Sequence, residues 1–345
     1  VHLAKRAVAG TLVLIMVLST MMISLSASGA KVTYEYYVIG DPSDSDATPS
    51  PGLLLAGGST DVAEAMEWMI KKSGGGDFVV LRCAGTDAYN PWIYKQLAEP
   101  GELNSCETII FLEPESCEDP VLIGRIVNAE ALFIAGGDQW NYVSMWKGTP
   151  VEAAIHSVRD KGAPIGGTSA GLAILGEFVF SAENDTVESD DALRNPYNRR
   201  VCLEKGFLDM PDMDGKITDS HFVARDRMGR LVTFLARIVQ DGWATEARGI
   251  GIDEETALGV DPDGTVTLFG ACKDGTAVAY FLRTNGEPDS CEPKTPLTYK
   301  GISVFKMTIG AKFNLATWQG DYGTSYSLSA VEGVLASTQS DGSIY

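Results

Sequence analysis

The sequence predicts an α/β protein with a mostly parallel sheet, followed by additional antiparallel strands late in the chain. Three observations predict it. Short continuous apolar runs recur between residues 53 and 166, as strands buried on both faces require. Segments with helical spacing separate these runs, and helical crossovers return a chain to the same edge of a parallel sheet. After residue 249 the apolar runs are divided instead by Asp263-Gly264 and Asp274-Gly275, signals of tight turns between antiparallel strands.

The elements follow in order. Lys5 and Arg6 precede an apolar run over 11–18 that continues through Met21, Met22 and Ile23 to the small residues Ser26, Ala27, Ser28, Gly29 and Ala30. This pattern predicts a secretory signal peptide over 1–30, cut near 28–30, and a secreted, periplasmic or extracellular protein. The alternative is an uncleaved anchor, because the run approaches the roughly 20 residues that span a bilayer. Residues 31–52, with Asp41-Pro42-Ser43-Asp44 and Pro49-Ser50-Pro51, read as a linker.

The folded domain is expected over 53–310. Strands are predicted at 53–56, 78–83, 108–112, 131–135 and 163–166, and helices at 62–72, 92–97 and 151–161. Pro150 sets the first turn of the last of these, Val151, Ala154, Ile155 and Val158 repeat along one face, and Gly162 ends it. A further helix over 228–239 carries Leu231, Leu235 and Ile238 on one side, before strands at 250–260, 265–269, 277–282 and 302–309. Residues 311–345 are left as a C-terminal extension.

Composition narrows the function. With 27 basic and 46 acidic residues the formal charge is −19, and without residues 1–30 it is −21, a surface that repels phosphate backbones and excludes nucleic acid as a partner. Six cysteines, at 83, 106, 117, 202, 272 and 291, allow up to three disulfides in an oxidising compartment. None is spaced as C-x-x-C, and neither metal nor cofactor is expected. A membrane contact is expected only through the signal segment, and a homodimer is compatible with the sequence.

The chemistry centres on Gly167-Thr168-Ser169-Ala170-Gly171, which fits the G-x-S-x-G nucleophile elbow between an apolar strand and the helix-competent Leu172-Ala173-Ile174-Leu175. The glycines allow close backbone approach, while Ser169 projects where the Ala170 amide and the following helix terminus meet a developing oxyanion. A serine needs a base. Of the three histidines, His2 lies in the signal segment and His156 beside the apolar stripe of a helix. His221, at the end of Ile217-Thr218-Asp219-Ser220-His221, is left by elimination and by its strand-end position. The orienting acid belongs to the cluster Asp253, Glu254 and Glu255, with Asp185, Asp190 and Asp219 as alternatives. Gly136-Gly137-Asp138-Gln139 closes another strand; it reads either as a second oxyanion amide with Gln139 touching substrate, or as a plain turn capped by Asp138.

These motifs together resemble the cyanophycinase-like serine peptidases, the family that also holds the aspartyl dipeptidase called dipeptidase E. The resemblance covers Leu55-Ala56-Gly57-Gly58, Ala135-Gly136-Gly137-Asp138-Gln139, Gly166 to Gly171, Asp219-Ser220-His221-Phe222, Arg225, Arg227 and Arg230, and Gly251-Ile252-Asp253-Glu254-Glu255-Thr256. It implies a three-layer sandwich like that of class-I glutamine amidotransferases and an exopeptidase with Ser169 as nucleophile, His221 as base and Glu254 as acid. It also implies an oxyanion hole at Gly137 and Ala170, and a substrate pocket with Gln139, Asp219, Ser220, Arg225, Arg227 and Arg230. The implied substrate is cyanophycin, cut to β-aspartyl-arginine dipeptides.

The residues agree in part, since arginines just beyond the base can bind substrate carboxylates in bidentate fashion. Their bland reading is the basic first turn of a solvated helix. The chain departs from the family at Ser220, where cyanophycinases carry a glutamine; serine is shorter and lacks the amide. That departure keeps a second reading, a peptidase for other aspartyl or β-aspartyl peptides. A noncatalytic binding protein on the same fold is the third, opposed by the presence together of Ser169, His221 and Glu254. An α/β-hydrolase esterase is excluded by order, because there the acid precedes the histidine.

Overall fold

The computed structural model describes residues 31–270 and 277–345. The expected signal peptide, Cys272 and the Asp274-Gly275 turn lie outside them.

The five predicted strands of the first half form a parallel core, in the spatial order Ser105–Phe111, Asp77–Arg82, Ala131–Ile134, Ile165–Thr168 and Leu53–Ala56. Alternation along each strand sends side chains to two different cores. Leu53 and Leu55 join one cluster with the helices Pro120–Asn128, Gln139–Trp146 and Pro150–Asp160, while Leu54 and Ala56 join another with the helix Ala63–Lys72. Helices on both faces give the expected layers. As the sequence predicts, Pro150 opens its helix and Gly162, at φ 78°, follows its end.

The late strands do not simply extend this sheet. Residues 250–260, predicted as one strand, form two: Arg248–Ile252 and Ala257–Val260. The second runs antiparallel to Leu53–Ala56 in the first sheet, whereas Arg248–Ile252 lies parallel to Lys216–Asp219 in a second sheet that continues through Val278–Arg283 and Tyr299–Thr308. The second sheet puts Ile250, Ile252, Phe281 and Met307 into the core shared with the first. Its other face is covered by the helix Met228–Gln240, around Leu231, Leu235 and Ile238. A continuous apolar pattern hides such a crossing, because both strands are buried and only the turn between them changes sheet.

Two boundaries need correction. Within the expected linker, Tyr34–Gly40 is a strand antiparallel to Ser105–Phe111, formed by a Tyr-, Val- and Ile-rich run that the adjoining Pro/Ser/Asp tract obscured. The tract itself is held down, with Asn104 donating to the carbonyls of Asp41 and Ser43 and Arg125 to that of Pro42. Residues 311–345 are likewise no appendage. Lys312–Asn314 and Gln319–Asp321 lie at the edge of the first sheet, and Thr324–Val331 and Val334–Ser337 at the edge of the second.

The expected disulfides do not form among the described residues. Cys83, Cys106, Cys117, Cys202 and Cys291 are free, and Cys106 is sealed inside its strand with its thiol 3.7 Å from Asn90 Oδ1. No described helix is long and apolar enough to cross a membrane.

Candidate active site

The elbow forms where the pattern places it, between the strand Ile165–Thr168 and the short helix Ala170–Ala173. Ser169 sits at φ 53°, a left-handed conformation that a non-glycine residue holds only when its surroundings over-determine it. Both flanking glycines are required by close approach: a Cβ on Gly167 would come within 2.5 Å of the Gly171 backbone, and one on Gly171 within 2.0 Å of Ile134 O. The helix after the serine has four residues, so the expected field of a helix terminus is small, and the local amides are what the turn offers.

His221 approaches from the second sheet, not from the elbow's own. It follows the buried strand Lys216–Asp219, takes φ 46°, and ties its backbone N–H to Gly57 O in the first sheet at 2.8 Å. The Asp253–Glu255 turn crosses between the sheets at the same place, with the Glu255 N–H donating to Gly58 O. Gly58 leaves room for the ring, since a Cβ there would lie 2.6 Å from His221 Nε2.

At this junction the three predicted side chains form one chain of contacts. Ser169 Oγ is 2.8 Å from His221 Nε2, and His221 Nδ1 is 2.6 Å from Glu254 Oε1. An ionised carboxylate only accepts, so Nδ1 carries the proton and Nε2 is left to accept from the serine hydroxyl. Burial pushes the His221 pKa below 6.5; the Glu254 hydrogen bond opposes this, and Arg225 and Arg227 add to the lowering. At neutral pH the ring is therefore uncharged and able to take a proton.

Of the three acids in the cluster, only Glu254 meets the imidazole. Asp253 instead accepts the N–H groups of Val223 and Ala224, each at 2.9 Å, and so holds the segment that follows His221. Sequence reasoning missed that role, because no spacing rule connects residues thirty positions apart.

A cavity of about 220 Å³ opens beside Ser169 and is lined by every predicted oxyanion and substrate residue: Gly137, Ala170, Gln139, Asp219, Ser220, Arg225, Arg227 and Arg230. The Gly136-Gly137 turn lies against the serine, and the plain-turn reading is seen directly: Asp138 caps the helix Gln139–Trp146 by accepting the Trp140 N–H, while Gly137, Asp138 and Gln139 all line the cavity. Gln139 is tethered through Nε2 to Phe180 O at 3.2 Å. Phe180, Ala182, Asp185 and Thr186 also line the cavity; of these the sequence offered only Asp185, and as an alternative acid.

The three arginines are not equivalent. Arg230 is buried and makes a bidentate pair with Asp219, Nε to Oδ2 at 2.8 Å and Nη2 to Oδ1 at 2.5 Å. Arg227 donates to Ser220 O and, more weakly, to Ser220 Oγ. Arg225 is the most exposed, its Nε 3.7 Å from Glu254 Oε1. Arg230 and Asp219 thus hold each other, and Arg225 keeps most freedom to meet a ligand.

With this geometry in place the comparisons are informative. Residues 94–199, which include the elbow, match the model of peptidase family S51. That segment is what the chain shares with the S51 peptidases. It is 26% identical to a cyanophycinase of Trichormus variabilis over 223 residues, covering 64% of this chain and 69% of that one. To a cyanophycinase of Geminocystis herdmanii it is 27% identical over 290 residues, covering 77% and 94%. A solved peptidase from an acI-B1 Actinobacterium superposes with a TM-score of 0.50 at 17% identity, over 68% of this chain and 91% of the other, which establishes a shared fold. The resemblance read from the motifs therefore stands: the chain is similar to cyanophycinases and, over residues 94–199, to the S51 peptidases.

Proposed function

We propose that the chain is a secreted serine exopeptidase of cyanophycinase type. The observation that carries the proposal is the unbroken contact chain from Ser169 through His221 to Glu254, opening on an arginine-walled cavity. Ser169 Oγ attacks the scissile carbonyl as its proton passes to His221 Nε2, and Glu254 stabilises the imidazolium through Nδ1. The amides of Gly137 and Ala170 receive the oxyanion. His221 then protonates the leaving amine, and water, deprotonated by the same ring, releases the acyl group.

The size of the cavity favours a short terminal unit over an internal stretch of chain. Arg225, with Arg227 behind it, suits a substrate carboxylate. The two cyanophycinase relatives favour cyanophycin, released as β-aspartyl-arginine dipeptides. Ser220 favours the second reading, other aspartyl or β-aspartyl peptides, because it removes the amide that the family's glutamine supplies. Secretion rests on the charge and apolar pattern of residues 1–30; N-terminal sequencing of exported protein should begin near residues 28–31.

The deciding experiment incubates the protein with cyanophycin and with β-aspartyl dipeptides, beside Ser169→Ala. Release of β-aspartyl-arginine by wild type alone is expected. Cleavage of the dipeptides only would move the substrate to the second reading, and equal activity in Ser169→Ala would overturn the mechanism.

A further inference from the structure

We propose that Tyr345 is a positioning residue for the arginine wall of the cavity and acts through Asp226. The inference rests on the reading of that cavity as the peptide site. Arg225 and Arg227 line the cavity, while Asp226 between them does not. Asp226 takes φ 47°, a conformation that aspartate tolerates only at a cost, so something must hold it there.

Three contacts do. The Tyr345 hydroxyl donates to Asp226 Oδ1 at 2.9 Å, the Ser189 hydroxyl donates to Asp226 O, and the Asp226 N–H donates to Val223 O at 3.1 Å. The same Tyr345 oxygen accepts the Met228 N–H at 2.9 Å, at the first residue of the helix Met228–Gln240. The Tyr345 ring stands edge-on to Phe222, with centroids 6.0 Å apart at 81°, and to Tyr280, 5.8 Å apart at 79°. One side chain, more than a hundred residues away in sequence, therefore grips the middle and the far end of the segment that begins beside the base and carries both arginines. Asp253 holds the near end of that segment, and Tyr345 its middle and far end.

Turning Asp226 onto Tyr345 presents its two arginine neighbours to the cavity. Without the hydroxyl, Asp226 loses a donor and the Met228 N–H an acceptor, and the segment gains freedom just where substrate carboxylates are to be met. The catalytic contacts of His221 are held separately, by Gly57, Glu254 and Ser169.

The test compares Tyr345→Phe, Asp226→Ala, Asp226→Asn and the double variant Y345F/D226A by steady-state kinetics on the substrate found for the wild type. The expected result for Y345F is a KM raised about 5- to 10-fold, the size of one or two lost hydrogen bonds, with kcat within about twofold and the acid limb of the pH profile in place. Asp226→Asn keeps an acceptor and should stay near wild type. The double variant should be no worse than either of Y345F and D226A, since both cut one connection. Hydrogen exchange should quicken in Y345F at residues 223–228. An unchanged KM, a fall in kcat in its place, additive losses, or unaltered exchange would each overturn the proposal. A wild type without Ser169-dependent hydrolysis would sink the proposed function, and the exchange comparison would then decide this one alone.

Discussion

The proposed nucleophile, Ser169, and its proposed base, His221, are held in opposite ways. Ser169 is fixed by its immediate neighbours in the chain: Gly167 and Gly171 let the backbone fold back on itself, and the strand Ile165–Thr168 is locked between two parallel partners. His221 follows a strand of the other sheet and Glu254 lies in the turn that leaves it; bonds that cross between the sheets, His221 N–H to Gly57 O and Glu255 N–H to Gly58 O, bring them to the serine, and Asp253, accepting the amides of Val223 and Ala224, ties their two loops together. A local turn tolerates distant change, whereas a junction depends on every strand that builds it. Damage to the second sheet should therefore impair chemistry while leaving the elbow intact.

The largest expected effect sharpens the elbow's side of the comparison. Ser169→Ala should lower kcat about 10⁴-fold or more with little change in thermal midpoint, checked by turnover and calorimetry. Next comes the buried pair behind the junction. Arg230→Met removes the bidentate partner of the buried Asp219 carboxylate and leaves it the longer 3.5 Å contact with Arg227, and denaturant unfolding should show a loss of about 3 kcal/mol.

Asp253→Ala tests the junction itself. Two amides lose their acceptor, so stability should fall by about 1–3 kcal/mol, with kcat reduced more than KM is raised because the segment beginning at His221 loosens. A variant as active as wild type would show that the Asp253 bonds are redundant.

The smallest effect is a shift in pH dependence. The base must be neutral, and its pKa lies below 6.5 chiefly through burial, so kcat/KM should fall only as pH drops below that value. Arg225 lowers this pKa further, so Arg225→Met should move the acid limb to higher pH, raise KM, and leave unfolding nearly unchanged because the side chain is largely exposed. A limb that stays in place or moves downward would contradict the part given to Arg225.

How much was legible follows the same division. Periodicity and turn chemistry are local, so the strand Leu53–Ala56, the helix over 150–160 and the elbow could be read within a residue or two. The crossing hidden in 250–260 could not, because two buried strands of different sheets carry the same apolar signature. The strand Tyr34–Gly40 was lost beside a proline-rich tract, and the tail strands were lost because serine and threonine on an edge look like a loop.

By itself the sequence singled out Ser169 as candidate nucleophile, through the glycines its turn needs, and His221 as candidate base, because histidine is scarce. It also determined the α/β class, through alternating apolar runs and helical segments. The motif resemblance implied Glu254 as the acid, but only the tertiary structure showed that of Asp253, Glu254 and Glu255 it is the one that meets the imidazole, which of three arginines makes the bidentate pair with Asp219, and that Tyr345 reaches the segment beyond the base. Those are choices among chemically similar side chains, settled by which sheet each strand joins and which partner lies within hydrogen-bonding distance.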